Sequence, residues 1–152
     1  VAQHAGNAIT RVLADATGLT SALSAAVSRP EVIHDRGAVL RDVAVAIADG
    51  TDCISDARVL RDQPRVFGPV AAIPTMWRSL NEINSAALAR ITVDRDKTRE
   101  RVWELIAARH GQIPPSRTAY GDLGEAILIR IDASLIDAHS DKERADGNFK
   151  GG

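Results

Sequence analysis

Ile127-Leu128-Ile129-Arg130-Ile131-Asp132-Ala133-Ser134-Leu135-Ile136 is the stretch on which the reading of this chain turns. Ile127, Ile129, Ile131, Ala133 and Leu135 share one parity, and Arg130, Asp132 and Ser134 the other, the period-two pattern of a strand buried on one face at least. It is the one convincing strand in the sequence. A single strand leaves its backbone donors and acceptors unmet, so a segment this apolar must add to a sheet. Sheet partners are missing from these residues. An acidic side chain in such a strand, followed by a small residue and a hydroxyl, is how many metal-dependent nucleic-acid enzymes place a first metal-holding carboxylate, and Asp132 has that position.

Upstream, Pro114-Pro115, Tyr120-Gly121 and Gly124 mark residues 112–126 as a linker. The longest periodic segment precedes it, from Asn84 or Ser85 to His110, with Leu88, Ile91, Val102, Leu105 and Ile106 as its apolar face and Gly111 as its cap. Its middle, Asp94 to Arg101, is densely charged in both signs. Mixed charge at these spacings usually marks a solvated helix face laced by ion pairs of ~0.2–0.5 kcal/mol each. The sharper alternative sets Arg95, Arg99 and Arg101 near phosphates.

From the start of the chain the pattern is helical. His4 to Thr17 carries Ile9, Val12 and Leu13 at helical spacing and stops at Gly18. Thr20 then caps a short Ala-rich helix through Leu23 and Val27, ended by Pro30. Asp35 caps a third helix with Val39, Leu40, Val43, Ala44 and Ile47 as one stripe before Gly50. Together these three begin a helical bundle.

Between Thr51 and Ile83 the order is a short helix capped by Ser55 and ending before Pro64, a turn at Phe67-Gly68-Pro69, then Ile73-Pro74-Thr75-Met76-Trp77-Arg78-Ser79-Leu80. With Thr75 as N-cap, Met76, Leu80 and Ile83 form an inward stripe and Arg78 and Ser79 face out. That order resembles a helix-turn-helix module, although such modules join their last two helices by ~3–4 residues and this loop is longer. Thr75, Arg78 and Ser79 are the candidate DNA-contacting residues. The plainer alternative is a bundle helix with Trp77 in the core.

Composition sets the outer bounds. The chain has 152 residues, 45% of them hydrophobic, enough for one core of ordinary size, and with 3% aromatics that core must be aliphatic. A net charge of −1 gives no global electrostatic case for nucleic acid, so any DNA contact must be local. Arg greatly outnumbers Lys, which suits bidentate phosphate contacts but follows equally from compositional bias. The single cysteine, Cys53, excludes an internal disulfide and any zinc site built on Cys pairs, and it reads as a small buried hydrophobe. With no apolar run of the ~18 residues that a membrane span needs and no charged-then-apolar leader, the chain is expected to be cytoplasmic, with no membrane partner. It opens on Val1, as a trimmed or partial chain would.

Asp132-Ala133-Ser134-Leu135-Ile136, then Ala138-His139-Ser140-Asp141-Lys142-Glu143 and Phe149-Lys150-Gly151-Gly152, resemble the start of the catalytic domain of bacterial insertion-sequence transposases of the DDE type. The group in question has a first catalytic strand reading Asp-Ala-Thr and a His-Ser-Glu-Lys-Glu loop. His4-Ala5-Gly6, Gly18-Leu19-Thr20, His34-Asp35-Arg36-Gly37, Ala48 to Asp56 and Leu60-Arg61-Asp62-Gln63-Pro64 are similar to its N-terminal helical region, so the resemblance covers almost the whole chain. Arg130 stands where members often have a second Asp, and Ser134 where they have Thr. The second Asp and the Glu of the family's triad lie beyond the Lys-Gly-Gly motif.

The resemblance implies a mainly α chain: a helical, DNA-binding domain over residues 1–111, a linker over 112–126, and over 127–152 the first strand of a truncated RNase H-like α/β catalytic domain. It implies an N-terminal portion of a DDE transposase whose full-length form cleaves and joins DNA with Mg²⁺, Asp132 being the first catalytic, metal-holding carboxylate. One carboxylate cannot hold two hydrated Mg²⁺ ions in register, so the chain itself is expected neither to bind metal stably nor to cut DNA. His139, near Asp137, Asp141 and Glu143, reads either as a ligand or as part of a solvated loop. DNA at the element ends is the expected partner, with a homodimer or higher oligomer open. The alternative function is a non-catalytic helical DNA-binding or oligomerisation module.

Overall fold

A computed structural model describes residues 5–29, 32–124, 126 and 128. The chain divides into two compact units, Val1–Ile113 and Pro114–Gly152. Among the described residues the first is helical: α1 (Ala5–Ala16), α2 (Leu19–Ala26), α3 (Arg36–Ala48), a 3-10 turn (Ile54–Ala57) running into α4 (Arg58–Arg61), α5 (Pro64–Phe67), α6 (Ile73–Asn81) and α7 (Ser85–His110). The mainly α reading holds. No helix among these residues is long and apolar enough to cross a membrane.

α3 is the hub, packed by α1, α2, α6 and the 3-10 turn, while α2 also carries α7. Asp35 caps α3 as expected, its Oδ1 accepting from Ala38 N at 2.7 Å and from the Ser24 hydroxyl at 2.6 Å. Because neighbours surround α3, a single stripe does not describe it. Val39, Val45 and Ala46 are buried, and so are Arg36, Arg41 and Asp42, whereas Ala44 and Ile47 from the expected stripe are exposed. Gly37 stands where α2 and α3 touch: a Cβ there would overlap the backbone of Ser24.

The core is aliphatic apart from Phe67, and it joins Val39, Val45 and Ala46 of α3 to Ala57, Leu60, Val70, Ala71 and Met76. Trp77 lies outside it, 54% exposed, which corrects the reading that buried it. Cys53 is exposed too, its Sγ 2.7 Å from the Ser55 hydroxyl.

Three expectations about the first helices change. α1 turns Ile9, Val12 and Leu13 outward, all more than half exposed, and presents Ala8, Arg11 and Ala14 to the unit, because Arg11 pairs with Asp42 on α3. Thr20 does not cap α2. Gly18, at φ 84°, takes the N-cap position, and the Thr20 hydroxyl inside the helix donates to Asp15 Oδ1. Ser55 likewise caps nothing, since the turn it sits in begins after Cys53 without a side-chain cap bond.

α7 begins where expected, with Asn84 Oδ1 accepting from Ala87 N at 2.9 Å, and ends at Gly111 in the left-handed region at φ 78°. Its 26 residues make a helix about 39 Å long at 1.5 Å per residue, yet among them only Ala87 is buried. Leu88 and Leu105 of the expected apolar face are exposed.

In the second unit, the stretch read as a linker holds a small antiparallel ladder, β1 (Arg117–Thr118) and β2 (Gly121–Asp122), with Arg117 opposite Asp122 and Thr118 opposite Gly121. The turn is closed by Thr118 Oγ1, which accepts from Tyr120 N and donates to the Gly121 carbonyl. The apolar strand at 127–136, apart from Leu128, lies outside the described residues, as do Asp132 and His139.

Candidate nucleic-acid interface

α6 starts with Pro74 in its first turn, where the missing N–H costs nothing, and Ala72 in extended conformation holds the N-cap position. Thr75, expected as the cap, is therefore inside the helix and half-buried. The Met76 side chain points into the core, fully buried, and Ser79, one turn further on, is only 4% exposed. The outward placement expected for Ser79 is thus corrected. Its hydroxyl donates to the Thr75 carbonyl at 2.8 Å and accepts from Arg36 Nη1 at 3.1 Å, and that partner 43 positions away is what turns the face inward. Trp77 and Arg78 occupy the solvent side.

Arg36 extends the link beyond Ser79. Its Nη2 donates to Glu82 Oε1 at 3.2 Å and lies 3.0 Å from Oε2, and Arg29 Nη1 is 3.8 Å from the same carboxylate. The end of α6 is thereby bonded to the start of α3.

A second ionic group sits among α1, α2 and α3. Asp42, 3% exposed, accepts from Arg41 Nη2 at 2.8 Å and Nε at 3.0 Å, with Arg11 Nε at 3.6 Å, and Arg41 Nη1 reaches Asp15 at 3.0 Å. Burial raises the Asp42 carboxyl above its usual range, outweighing the two arginines, and lowers the Arg11 guanidinium. Asp15 moves the other way: the Thr20 hydroxyl, with help from Arg41, holds it below the carboxylate range against a smaller effect of burial. These groups hold helices together; Arg41 and Asp42 are buried, and Asp15 lies at the solvent edge of the group.

Positive charge free for a partner lies elsewhere. Arg58, Arg61 and Arg65, on α4 and α5, are exposed, as is Arg78, and none has an ion-pair partner among the described residues. Asp52, Asp56 and Asp62 are exposed in the same stretch as Arg58, Arg61 and Arg65, so the stretch presents individual guanidiniums and no net basic charge. In the charged middle of α7, by contrast, the cations meet acids: Lys97 with Asp94 at 3.4 Å, Arg99 with Asp96 at 3.8 Å and Arg101 with Glu104 at 3.0 Å. The solvated-face reading of α7 fits that geometry. In the sequence, Asp62 between Arg58, Arg61 and Arg65 and Asp52 and Asp56 before them mask this pattern.

Among the described residues no group of His, Cys, Asp and Glu is arranged to hold a metal ion, and the catalytic candidate Asp132 is not one of those residues. No protein-family model matches the chain, and neither a curated protein nor a solved structure is significantly similar to it.

Proposed function

We propose that this chain is the N-terminal portion of a DDE-type insertion-sequence transposase, with a helical unit that engages DNA and, at Asp132, the first of the carboxylates that hold Mg²⁺ in the full-length enzyme. When bound, Mg²⁺ in such a site activates an attacking oxygen and stabilises the leaving one. The remaining carboxylates belong to the longer enzyme, so this chain by itself neither cleaves nor joins DNA.

The observation that carries the reading is the motif series from His34-Asp35-Arg36-Gly37 through Leu60-Arg61-Asp62-Gln63-Pro64 to Asp132-Ala133-Ser134. Its upstream members have definite work in the fold. Asp35 caps α3, Arg36 bonds α3 to α6, Gly37 lets α2 approach, Leu60 is core and Pro64 opens α5. The DNA-facing surface in this reading consists of Arg78 on α6, in a helix-turn-helix-like setting, with Thr75 beside it and Arg58, Arg61 and Arg65 on the preceding short helices. Ser79 supports that surface from behind.

Fluorescence anisotropy with a labelled duplex over a range of salt tests this. Affinity is expected to fall steeply with salt, and Arg78→Ala to weaken binding and reduce the salt slope by about 1. Absence of binding at low salt would remove DNA engagement from the chain.

A second reading, an oligomerisation module without catalysis, is favoured by one observation: Ile9, Val12 and Leu13 form an exposed apolar face on α1. Sedimentation of the chain against a Val12→Glu variant separates the two. A dimer lost in the variant supports self-association, and a monomer in both excludes it.

A further inference from the structure

α1 packs with its apolar stripe outward. Ile9, Val12 and Leu13 are each more than half exposed, and together they leave on the order of 300 Å² of apolar surface open, the size of the patches that mark contacts on monomers. Beside that stripe, α1, the start of α2 and α7 border a groove of about 300 Å³. Leu13, Ala14, Leu19 and Val102 are its apolar lining, and Arg95 and Arg99 stand on the α7 wall. Leu13 belongs to both the stripe and the groove, so the two surfaces are continuous. A groove between two helices takes a third, whose ridge of side chains fills the space between theirs.

Charge states what that third helix must carry. Arg95 and Arg99 are both more than half exposed and share one carboxylate, Asp96, at 3.4 and 3.8 Å. Their wall therefore offers guanidinium donors to an acid on an incoming helix. α1 itself has two charged residues, Arg11 and Asp15. Arg11 is turned inward onto Asp42, whereas Asp15 is half exposed and accepts both of its hydrogen bonds, from Thr20 and Arg41, at Oδ1. At 3.6 residues per turn, Asp15 falls on the flank of α1 away from its own groove. α1 is thus an apolar stripe with an acid on its far flank, the complement of the groove beside it. Area points the same way: a stable pair needs ~800 Å² buried on each side, and stripe against stripe supplies less than half of that, so a lasting contact has to use the groove as well.

We propose that the groove seats α1 of a second copy of this chain, in a twofold contact where each α1 lies between the α1 and the α7 of the other copy. The proposal rests on the self-association reading above and adds where the second copy is held. Twofold symmetry makes the contact isologous, so stripe and groove are each used twice. The two α1 helices form the inner pair and the two α7 helices the outer pair of a four-helix layer. Ile9 and Val12 of one copy fill the groove of the other, and Asp15 of one copy meets Arg95 and Arg99 of the other.

Sedimentation of the full chain and its variants tests this, with circular dichroism as the check of fold. The parent is expected to dimerise, and both Val12→Glu, on the stripe, and Val102→Glu, on the groove wall, to be monomeric. Arg99→Glu, an exposed change, should weaken association about fivefold at low salt and match the parent at ~1 M salt, where such a pair is screened. Cross-linking reads the contact directly: in a Cys53→Ser background, chains with Val12→Cys and chains with Arg99→Cys are mixed and oxidised, and a disulfide-linked peptide joining positions 12 and 99 is expected. A dimer that is lost in Val12→Glu but unaltered by Val102→Glu and Arg99→Glu, with no such peptide, overturns the groove and leaves self-association through the stripe intact. A parent chain that stays monomeric overturns both.

Discussion

Ser79 and Arg78 are neighbours with opposite duties, and substitution should separate them. Ser79→Ala removes the acceptor of Arg36 Nη1 inside the unit, and the expected loss is about 1–3 kcal/mol of stability, read as a lower urea midpoint. Arg78→Ala touches nothing buried and should leave the midpoint within about 0.5 kcal/mol. Equal losses in the two would mean that α6 is oriented otherwise. Acid sensitivity is also a matter of single residues. Asp15 has a folded-state pKa below its unfolded one, so its contribution to stability is present above the ordinary carboxylate range and disappears as pH falls through the depressed value. Asp42 has the reverse sign: raised by burial, it contributes below its unfolded pKa and loses that contribution as pH rises through the folded one. Comparing urea midpoints near pH 6 and about pH 2, Asp15→Asn is expected to lose less on acidification than the parent chain, and an identical loss would remove Asp15 from the acid response.

At the scale of elements, the contact between α2 and α3 depends on the missing side chain of Gly37. Gly37→Ala must push α2 from α3 or bend one of them, since the obstruction is backbone of Ser24 rather than a movable side-chain tip. Thermal melting should show it as one of the most destabilising single-methyl additions in the unit, well beyond the change from Ala38→Gly, which alters only helix propensity by about 1 kcal/mol. Helix ends show what the sequence made legible and what it did not. The caps at Asp35 and Asn84 and the stops at Gly18 and Gly111 rest on local chemistry, and each lies where its residue type puts it. Thr20 and Thr75 have the same cap chemistry but are inside their helices, because Gly18 and the pair Ala72 and Pro74 start those helices earlier. Faces were less legible than ends. α1 is inverted from its apolar pattern because its inward Arg11 meets Asp42 on α3, and Ser79 is inward because of Arg36; neither partner is near in sequence. The ladder at Arg117–Thr118 and Gly121–Asp122 is too short to carry a periodic signal.

For the whole molecule, a formal charge of −1 leaves no long-range attraction to DNA, so the DNA engagement proposed above requires a local contact, and the two tryptophans can report where it lies. Trp77 shares α6 with Arg78, while Trp103 lies in the distal half of α7, and both are close to half exposed. A duplex that contacts α6 should change the fluorescence of Trp77 and not that of Trp103: the response is expected to survive Trp103→Phe and to vanish in Trp77→Phe. The converse pattern would move the DNA surface to α7 and its charged middle. Arg36 and Gly37, the first two residues of α3, have one more consequence, which concerns heredity rather than structure. One ties α3 to α6 and the other admits α2, so two independent joints of the helical unit are written in adjacent codons. In a scan of every substitution along the gene, intolerance should peak as a sharp doublet there. A six-nucleotide lesion at that spot would undo both joints at once.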